Sequence, residues 1–308
     1  MRHQDRFRGC LLGLAVGDAV GATLEFSARD TFEPITDMVG GGPFHLAPGE
    51  WTDDTSMALC LATSLVDQVG FDAKHQMELY CRWARDGYLS STGERFDIGT
   101  TVSNALSEYR RTGNPYSGPV SIFTAGNGSL MRLAPIPMFY FPDEQATDKY
   151  AAESSRTTHG ARECIDACRL FAQLLTRALA GRPKGAVLSG SALTFAGAEK
   201  IVDVAKCEYA EKSRLQIRGT GYVVDCLEAA LWCFYRTDTF QAAILEAANL
   251  GEDADTTAAV CGQIAGAFYG ESGIPAHWLN KLVQRDLISN LADRLREVGE
   301  GWNPSCAG

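Results

Sequence analysis

The chain has 308 residues, of which 45% are hydrophobic, so it can bury the core of one large domain or of two small ones. Its formal net charge of −10 argues against nonspecific binding to nucleic acid or to an anionic membrane, because such binding needs a basic surface. We therefore expect neither as a partner, and any phosphate-bearing ligand must be held by backbone amides, a few local bases or a metal.

The first predicted helix, residues 7–21, follows a basic N-terminus and so resembles a signal peptide. Asp18 interrupts its apolar stretch and the pattern continues beyond any cleavage point, which predicts a buried helix of a cytoplasmic protein. We expect no membrane span, because no apolar run approaches the about 20 residues that one requires. An unpaired buried carboxylate is costly, so Asp18 is expected to bond inside the protein and brace neighbouring loops.

Apolar residues at three-and-four spacing predict eight further helices, and strand-like alternation is nearly absent. The predicted ranges are 55–68, 73–86, 100–109, 163–180, 221–235, 239–248, 256–268 and 287–298. No linker or low-complexity stretch divides the chain. The sequence thus predicts one all-α domain, residues 1–308, with its chemistry on the polar loops between helices.

Glycines recur every four residues in the first helix and in the helix near residue 262. They are Gly9, Gly13, Gly17 and Gly21, then Gly262, Gly266 and Gly270. Residues at this spacing share one helix face, so each helix can take another backbone at short distance. Close packing in the core is the simpler interpretation. Since both helices adjoin acidic motifs, their packing would also bring distant carboxylates together.

The ten cysteines are scattered, mostly in apolar helical runs, without a CxxC pair, and are predicted to be reduced and buried. Cys164 and Cys168 lie one helical turn apart and could share a zinc ion. A zinc site is the weaker alternative, because neither a second pair nor a histidine adjoins them.

Two motifs of acids and threonines each stand before an apolar helix, far apart in the chain. Their members are Thr52, Asp53 and Asp54, then Asp253, Asp255 and Thr256. Either motif alone would suit a helix cap, and two unrelated caps remain an alternative to one site with two walls. Oxygen ligands without histidine or cysteine select Mg²⁺ or Mn²⁺. Four carboxylates drawn together would repel unless two divalent cations balanced them.

Seven stretches, in order along the whole chain, resemble the ADP-ribosylglycohydrolase family, and within it the bacterial glycohydrolases that activate dinitrogenase reductase. They are GLAVGDAVGATLEF (13–26), PGEWTDDTSMAL (48–59), FDIGTT (96–101), AGNGSLMRLAP (125–135), TTHG (157–160), GYVVDCLEAALW (221–232) and GEDADTTAAVCGQIAGAFYG (251–270). TDDT and DADTT are specific as a pair.

The resemblance implies an orthogonal helical bundle with a binuclear metal cleft built from inter-helix loops. It also implies cleavage of the bond between ADP-ribose and a protein side chain, and it makes the six residues of the two motifs ligands of two Mg²⁺ or Mn²⁺ ions. Two adjacent cations can bind the cis-diol of a ribose beside its anomeric carbon.

The resemblance further suggests Asp97 as the catalytic acid/base and Glu25 as its partner, since proton transfer needs a carboxylate that is not consumed as a metal ligand. The simpler alternatives are a helix cap for Asp97 and a solvated loop acid for Glu25.

Seven positions become candidate substrate contacts. They are Gly99, Gly126, Asn127, Gly128, Ser129, His159 and Tyr222. The loop 126–129 could cradle a diphosphate with its amides, or be an ordinary turn. His159 is either a ligand contact or a structural histidine. Tyr222 either stacks on adenine or shields the distal ribose, or it packs in the core. Arg132 could instead brace the acids through an ion pair.

We therefore predict a hydrolase of mono-ADP-ribosyl-arginine, acting as a monomer on ADP-ribosylated protein and binding ADP-ribose. The alternatives are hydrolysis of a serine or nucleobase linkage, a noncatalytic ADP-ribose-binding or structural relative, and a two-metal phosphatase. One departure from the family pattern, Glu252 in place of a small residue, either adds charge beside the metals or points to solvent.

Overall fold

The computed structural model describes residues 3–189 and 195–302, and within them the protein is all-α. Its β-structure there is limited to two isolated bridges, Gly41 with Leu46 and Gly126 with Tyr222. The helices are α1 His3–Gly21, α2 Asp53–Gln68, α3 Ala73–Asp86, α4 Thr100–Thr112, α5 Pro135–Tyr140, α6 Glu144–Thr158, α7 Arg162–Leu179, α8 Lys184–Ser189, α9 Glu199–Ala205, α10 Val223–Arg236, α11 Phe240–Ala248, α12 Ala254–Tyr269, α13 Ala276–Lys281 and α14 Arg285–Glu300. The predicted fold class is confirmed.

All nine predicted helices are present, and five others were not predicted from the sequence: α5, α6, α8, α9 and α13. Four of these have only six or seven residues, too few to show a helical period. The fifth, α6, is longer but polar and threonine- and serine-rich. Its start is fixed by Asp143, whose carboxylate accepts hydrogen bonds from the amides of Gln145 and Ala146.

The centre of the protein is an antiparallel contact between α1 and α12 at their glycine faces. A Cβ on Gly262 would lie 2.7 Å from the carbonyl carbon of Gly13, and a Cβ on Gly21 would lie 2.6 Å from the Cα of Asp255. No side chain fits at such a separation, so glycine is required for the two backbones to touch. Because the pair is antiparallel, the end of α1 meets the start of α12.

By length and composition, residues 3–24 could cross a membrane, so the expectation that no apolar run is long enough was wrong. In the structure 89% of the most apolar 18 residues of this segment are buried inside the protein. The segment packs on α12, α14 and α11, as the core helix of a globular protein does.

Candidate metal centre and active-site cleft

Asp18, near the end of α1, holds the start of α2. Its carboxylate is fully buried and accepts hydrogen bonds from the amides of Thr52 (2.9 Å) and Thr55 (3.0 Å) and from the Thr55 hydroxyl (2.6 Å). The expected bracing role of Asp18 is confirmed. Thr52 itself makes no side-chain cap bond, so its hydroxyl is free for another partner.

Glu25 does the same for the start of α12. The 3₁₀ turn Ala22–Leu24 carries it from the end of α1 to α12, where its carboxylate accepts hydrogen bonds from the amides of Ala254 (2.8 Å) and Asp255 (3.3 Å). Glu25 is buried, so it is not the solvated loop acid of the simpler interpretation. Asp253, at the N-cap position, makes no side-chain cap bond.

The two acidic motifs therefore begin helices without capping them, since acids from α1 and the turn after it bond the free amides. The motifs also meet. The Thr256 hydroxyl is 3.4 Å from an Asp54 carboxylate oxygen, and carboxylate oxygens of Glu25, Asp253 and Asp255 all lie within 4.8 Å of one another. The two stretches thus form one cluster rather than two unrelated caps.

The donor set fits a hard divalent cation. The Thr52 hydroxyl and one Asp54 carboxylate oxygen are buried without a hydrogen-bond partner, which is costly unless a ligand bonds them. Burial raises the pKa of Asp53 and of Asp54 well above its usual value, and the neighbouring carboxylates raise it further. Bound cations would remove both costs.

Burial, and then the Asp255 carboxylate, also raise the pKa of Asp18 and of Asp253 to about 7. In Asp253 this rise is opposed by Asn127, whose side-chain amide donates a 2.9 Å hydrogen bond to the carboxylate. The loop after residue 125 is in this way tied directly to the acidic cluster.

Asp97 lies beside the cluster, in the left-handed region of backbone space at a φ of 53°. The N-cap residue of α4 is Gly99, so Asp97 is not the cap of this helix. Burial, and then the charge and hydrogen bond of Asp255, raise the pKa of Asp97 to about 9. The carboxyl is therefore protonated at neutral pH in the metal-free protein.

A cleft of about 270 Å³ opens over these groups. The predicted site residues that line it are Glu25, Asp53, Asp97, Gly99, Gly126, Asn127, Gly128, His159, Asp253, Asp255 and Thr256. Thr52 and Asp54 lie behind the lining, buried, where they reach the cluster from α2. The structure thus brings together the two walls and the glycine-rich loop.

His159 stands against the loop, with its Cε1 atom 2.8 Å from where a Cβ on Gly128 would lie. The loop can pass this close only because residue 128 is glycine. Burial, and secondarily the positive charge of Arg132, lower the His159 pKa to about 3, so the imidazole is neutral.

Ser129 and Tyr222 are not brought to the cleft. The Ser129 hydroxyl is buried and accepts a 2.9 Å hydrogen bond from Ser155. The Tyr222 hydroxyl donates to Glu163 at 2.7 Å and accepts from Lys200 at 2.9 Å, so it is held by α7 and α9, and Tyr222 is not among the residues that line the cleft.

Three further expectations are answered by side-chain contacts. Cys164 and Cys168 are free thiols that bond the Gly126 carbonyl and the Ser129 hydroxyl, which leaves the zinc alternative without support. Glu252 turns to an ion pair with Arg218.

Arg132 forms no ion pair with the acids among the described residues; it bonds carbonyl and hydroxyl oxygens instead.

Sequence reasoning missed several residues that line the cleft: Phe26, Thr100, Thr101, Val102, Met131 and Gly221. Phe26 is the most conspicuous, because its side chain is 68% exposed beside Glu25. Its amide donates to the Glu252 carbonyl at 2.8 Å. An aromatic residue directly after a candidate catalytic acid was the available signal.

The fold and site define an all-α protein whose inter-helix loops gather buried carboxylates around one cleft suited to divalent metal ions. The model of the ADP-ribosylglycohydrolase family matches residues 1–305, and the chain belongs to this family.

Among its relatives, the ADP-ribosylarginine hydrolase Tri1 of Serratia proteamaculans is 46% identical, over 94% of this chain and 79% of that protein. Tri1 of Pseudomonas putida is 48% identical over 94% and 78%. The ADP-ribosyl-[dinitrogen reductase] glycohydrolase of Rhodospirillum rubrum is 31% identical over 92% and 93%. A solved ADP-ribosylglycohydrolase-related protein complex superposes with a TM-score of 0.86 at 43% identity, over 96% of this chain and 99% of that one.

Proposed function

We propose that the protein hydrolyses the N-glycosidic bond between ADP-ribose and an arginine side chain, with two Mg²⁺ or Mn²⁺ ions. The observation that carries the proposal is the junction of the two acidic walls at Thr256 and Asp54, next to Asp97, whose pKa is raised by burial. The arginine linkage is supported by the names of the two Tri1 relatives.

The metal ions would be held by the six residues of the two walls, and the buried Glu25 adds a carboxylate within reach of Asp253 and Asp255. When bound, the ions supply Lewis acids that orient and polarise the ribose hydroxyls. The walls come from helices fixed to each other through α1, so the ligand atoms are preorganised.

Asp97 is the proposed acid/base. Its carboxyl donates the proton to the leaving guanidino nitrogen as the bond from that nitrogen to the anomeric carbon breaks. Water then forms the new carbon–oxygen bond, and the Asp97 carboxylate takes the proton that the water releases. Glu25, fixed by two backbone amides on the opposite wall, is proposed as the partner that orients this water.

The rest of ADP-ribose is proposed to lie along the loop 126–128, where backbone amides and the neutral His159 replace the basic residues that an acidic protein lacks. We further propose that the protein acts as a monomer in the cytoplasm on ADP-ribosylated proteins, in keeping with the acidic composition and the reduced state of the described cysteines.

The test is release of ADP-ribose by the purified protein with Mg²⁺ or Mn²⁺ from arginine-, serine- and nucleobase-linked substrates side by side. We expect turnover of the arginine substrate. Turnover of another linkage alone, release of inorganic phosphate, or binding of ADP-ribose without turnover of any substrate would each replace the proposal with the corresponding alternative.

A matched pair of variants assigns the acid. Asp97→Asn removes the proton donor within the cleft, whereas Asp238→Asn makes the same change at an exposed residue between α10 and α11. Removal of a general acid should lower kcat by about 10² to 10⁴. We expect this loss in Asp97→Asn and full activity in Asp238→Asn.

A further inference from the structure

Arg132 is fully buried behind the loop 126–129, and no carboxylate of the described residues is in hydrogen-bond contact with it. Its guanidinium donates to the Gly128 carbonyl at 2.6 Å and to the Thr158 hydroxyl at 2.8 Å, and it lies 4.8 Å from the centre of the Tyr80 ring. A guanidinium has N–H donors and no acceptor, so these contacts have a fixed direction: Arg132 donates and its partners accept.

The Thr158 hydroxyl, at the end of α6, has two partners among the described hydrogen bonds: Arg132 and the Nδ1 atom of His159, at 2.9 Å. The neighbouring Thr157 hydroxyl also accepts from Arg132 but donates its proton to the Ser154 carbonyl at 2.7 Å. Thr158 makes no such bond to a carbonyl of the described residues. The acceptor available to its proton is therefore His159 Nδ1.

If Thr158 donates to Nδ1, the single ring proton of the neutral His159 is on Nε2. This nitrogen would be 3.1 Å and 3.5 Å from a Cβ on Gly128 and on Gly126, which places it at the glycine-rich loop of the cleft. The opposite tautomer would leave the Thr158 proton without an acceptor and would turn a lone pair toward an anionic ligand.

We propose that Arg132 and Thr158 are positioning residues that hold His159 as the Nε2–H tautomer, so that it offers a neutral N–H donor to a diphosphate oxygen of ADP-ribose. The ligand in this inference rests on the proposed function, whereas the direction of the hydrogen bonds does not.

The arrangement explains how an arginine that cannot reach the cleft can still act on a phosphate there. Its fixed donors orient the Thr158 hydroxyl, and the hydroxyl sets the protonation of the ring. The ring is packed against Gly128, so the donor is also fixed in place. A neutral donor binds an oxyanion without a proton being taken up from solvent.

The first experiment reads the tautomer directly, without ligand or metal, from the imidazole ¹⁵N chemical shifts of the wild-type protein. The five histidines are distinguished with a His159→Gln variant. We expect Nδ1 of His159 to resonate as an unprotonated nitrogen and Nε2 as a protonated one. The reverse assignment, or a charged ring at neutral pH, would overturn the proposal.

The second experiment uses Thr158→Val, which removes the hydroxyl at nearly constant shape, and Thr158→Ser, which keeps it. We expect Thr158→Val to populate both tautomers and to bind ADP-ribose about tenfold more weakly by calorimetry, or about 1.4 kcal/mol. Thr158→Ser should behave as wild type.

Turnover then separates positioning from general damage. With the arginine-linked substrate, the KM of Thr158→Val should be about tenfold higher than that of the wild-type protein, and kcat should change less than about twofold. An unchanged tautomer and affinity in a folded Thr158→Val would refute the inference. If no arginine-linked substrate is cleaved but the tautomer and affinity shift as expected, the proposed function fails and the positioning role stands.

Discussion

The contact between α1 and α12 leads to a prediction with a built-in control. Gly262→Ala places a methyl group against the Gly13 backbone, 2.7 Å from its carbonyl carbon, where ordinary contacts begin at 3.4 Å. The neighbours are backbone atoms, so no side chain can turn away and the two helices must separate. The same substitution at Gly185, in α8, meets no heavy atom within 4 Å.

Two effects of opposite sign determine the stability of Gly262→Ala. Overpacking of a rigid core destabilises by about 1–3 kcal/mol or more, whereas replacing glycine by alanine in a helix stabilises by about 1 kcal/mol. Since the backbone at Gly13 cannot turn away as a side chain can, we take the upper end of the overpacking cost. We therefore expect Gly262→Ala to lower the free energy of unfolding by about 2 kcal/mol. Gly185→Ala should raise it by about 0.4–1 kcal/mol.

Urea denaturation of both variants measures these changes, and calorimetric titration with Mn²⁺ tests the link to the site. Gly262 is two turns from Asp255 on α12, so separation of the helices should also weaken metal binding, which Gly185→Ala should leave unchanged. A Gly262→Ala protein as stable as wild type would show that α1 and α12 can move apart freely. The account of a preorganised metal site would then be untenable.

Three more outcomes can be measured. Asp54→Asn should keep the helical circular dichroism spectrum but lose at least about 100-fold in hydrolysis, because it removes a buried donor oriented for metal; normal turnover would remove Asp54 from the ligand set. The metal-free protein should lose thermal stability as pH rises from about 4 to about 7, because Asp18 and Asp253 have folded-state pKa values raised to about 7 and their protonated forms favour folding. Melting curves in a chelator test this, and Mg²⁺ should stabilise more at the upper end; a metal-free protein that gains stability over this range would contradict it. Gly128→Ala should push the His159 ring aside and weaken ADP-ribose binding about tenfold, and an unchanged dissociation constant would mean that the ring does not face the ligand.

Much of the fold could be predicted from sequence, because long amphipathic helices show their period locally. The pattern failed at α6, whose polar face hides the period, and at helices of about two turns. The pairing of α1 with α12 was within reach because glycines four residues apart mark a helix face in both segments.

The site was predicted less completely. The two acidic motifs could be matched by composition. The residues that bond the free amides at the start of α2 and of α12 could not be predicted, because the hydrogen bonds of Asp18 and Glu25 join residues distant in sequence. The orientation of Ser129 and Tyr222 could not be inferred either, since it depends on Ser155, Glu163 and Lys200, which belong to other helices. Sequence reveals which residue types are available, whereas tertiary contacts decide which of them face the cleft.

The pairing of the first long helix with α12 also has a consequence for synthesis. A chain emerging from the ribosome completes α1 and both residues that cap α2 and α12 long before α12 exists, and contacts of such sequence separation form late and slowly. The glycine face of α1 therefore stays uncovered until α12, which carries the second acidic motif, has been made. The nascent protein cannot bring the two walls together until residue 256 has been made, so hydrolytic activity requires that α1 and α12 have already paired.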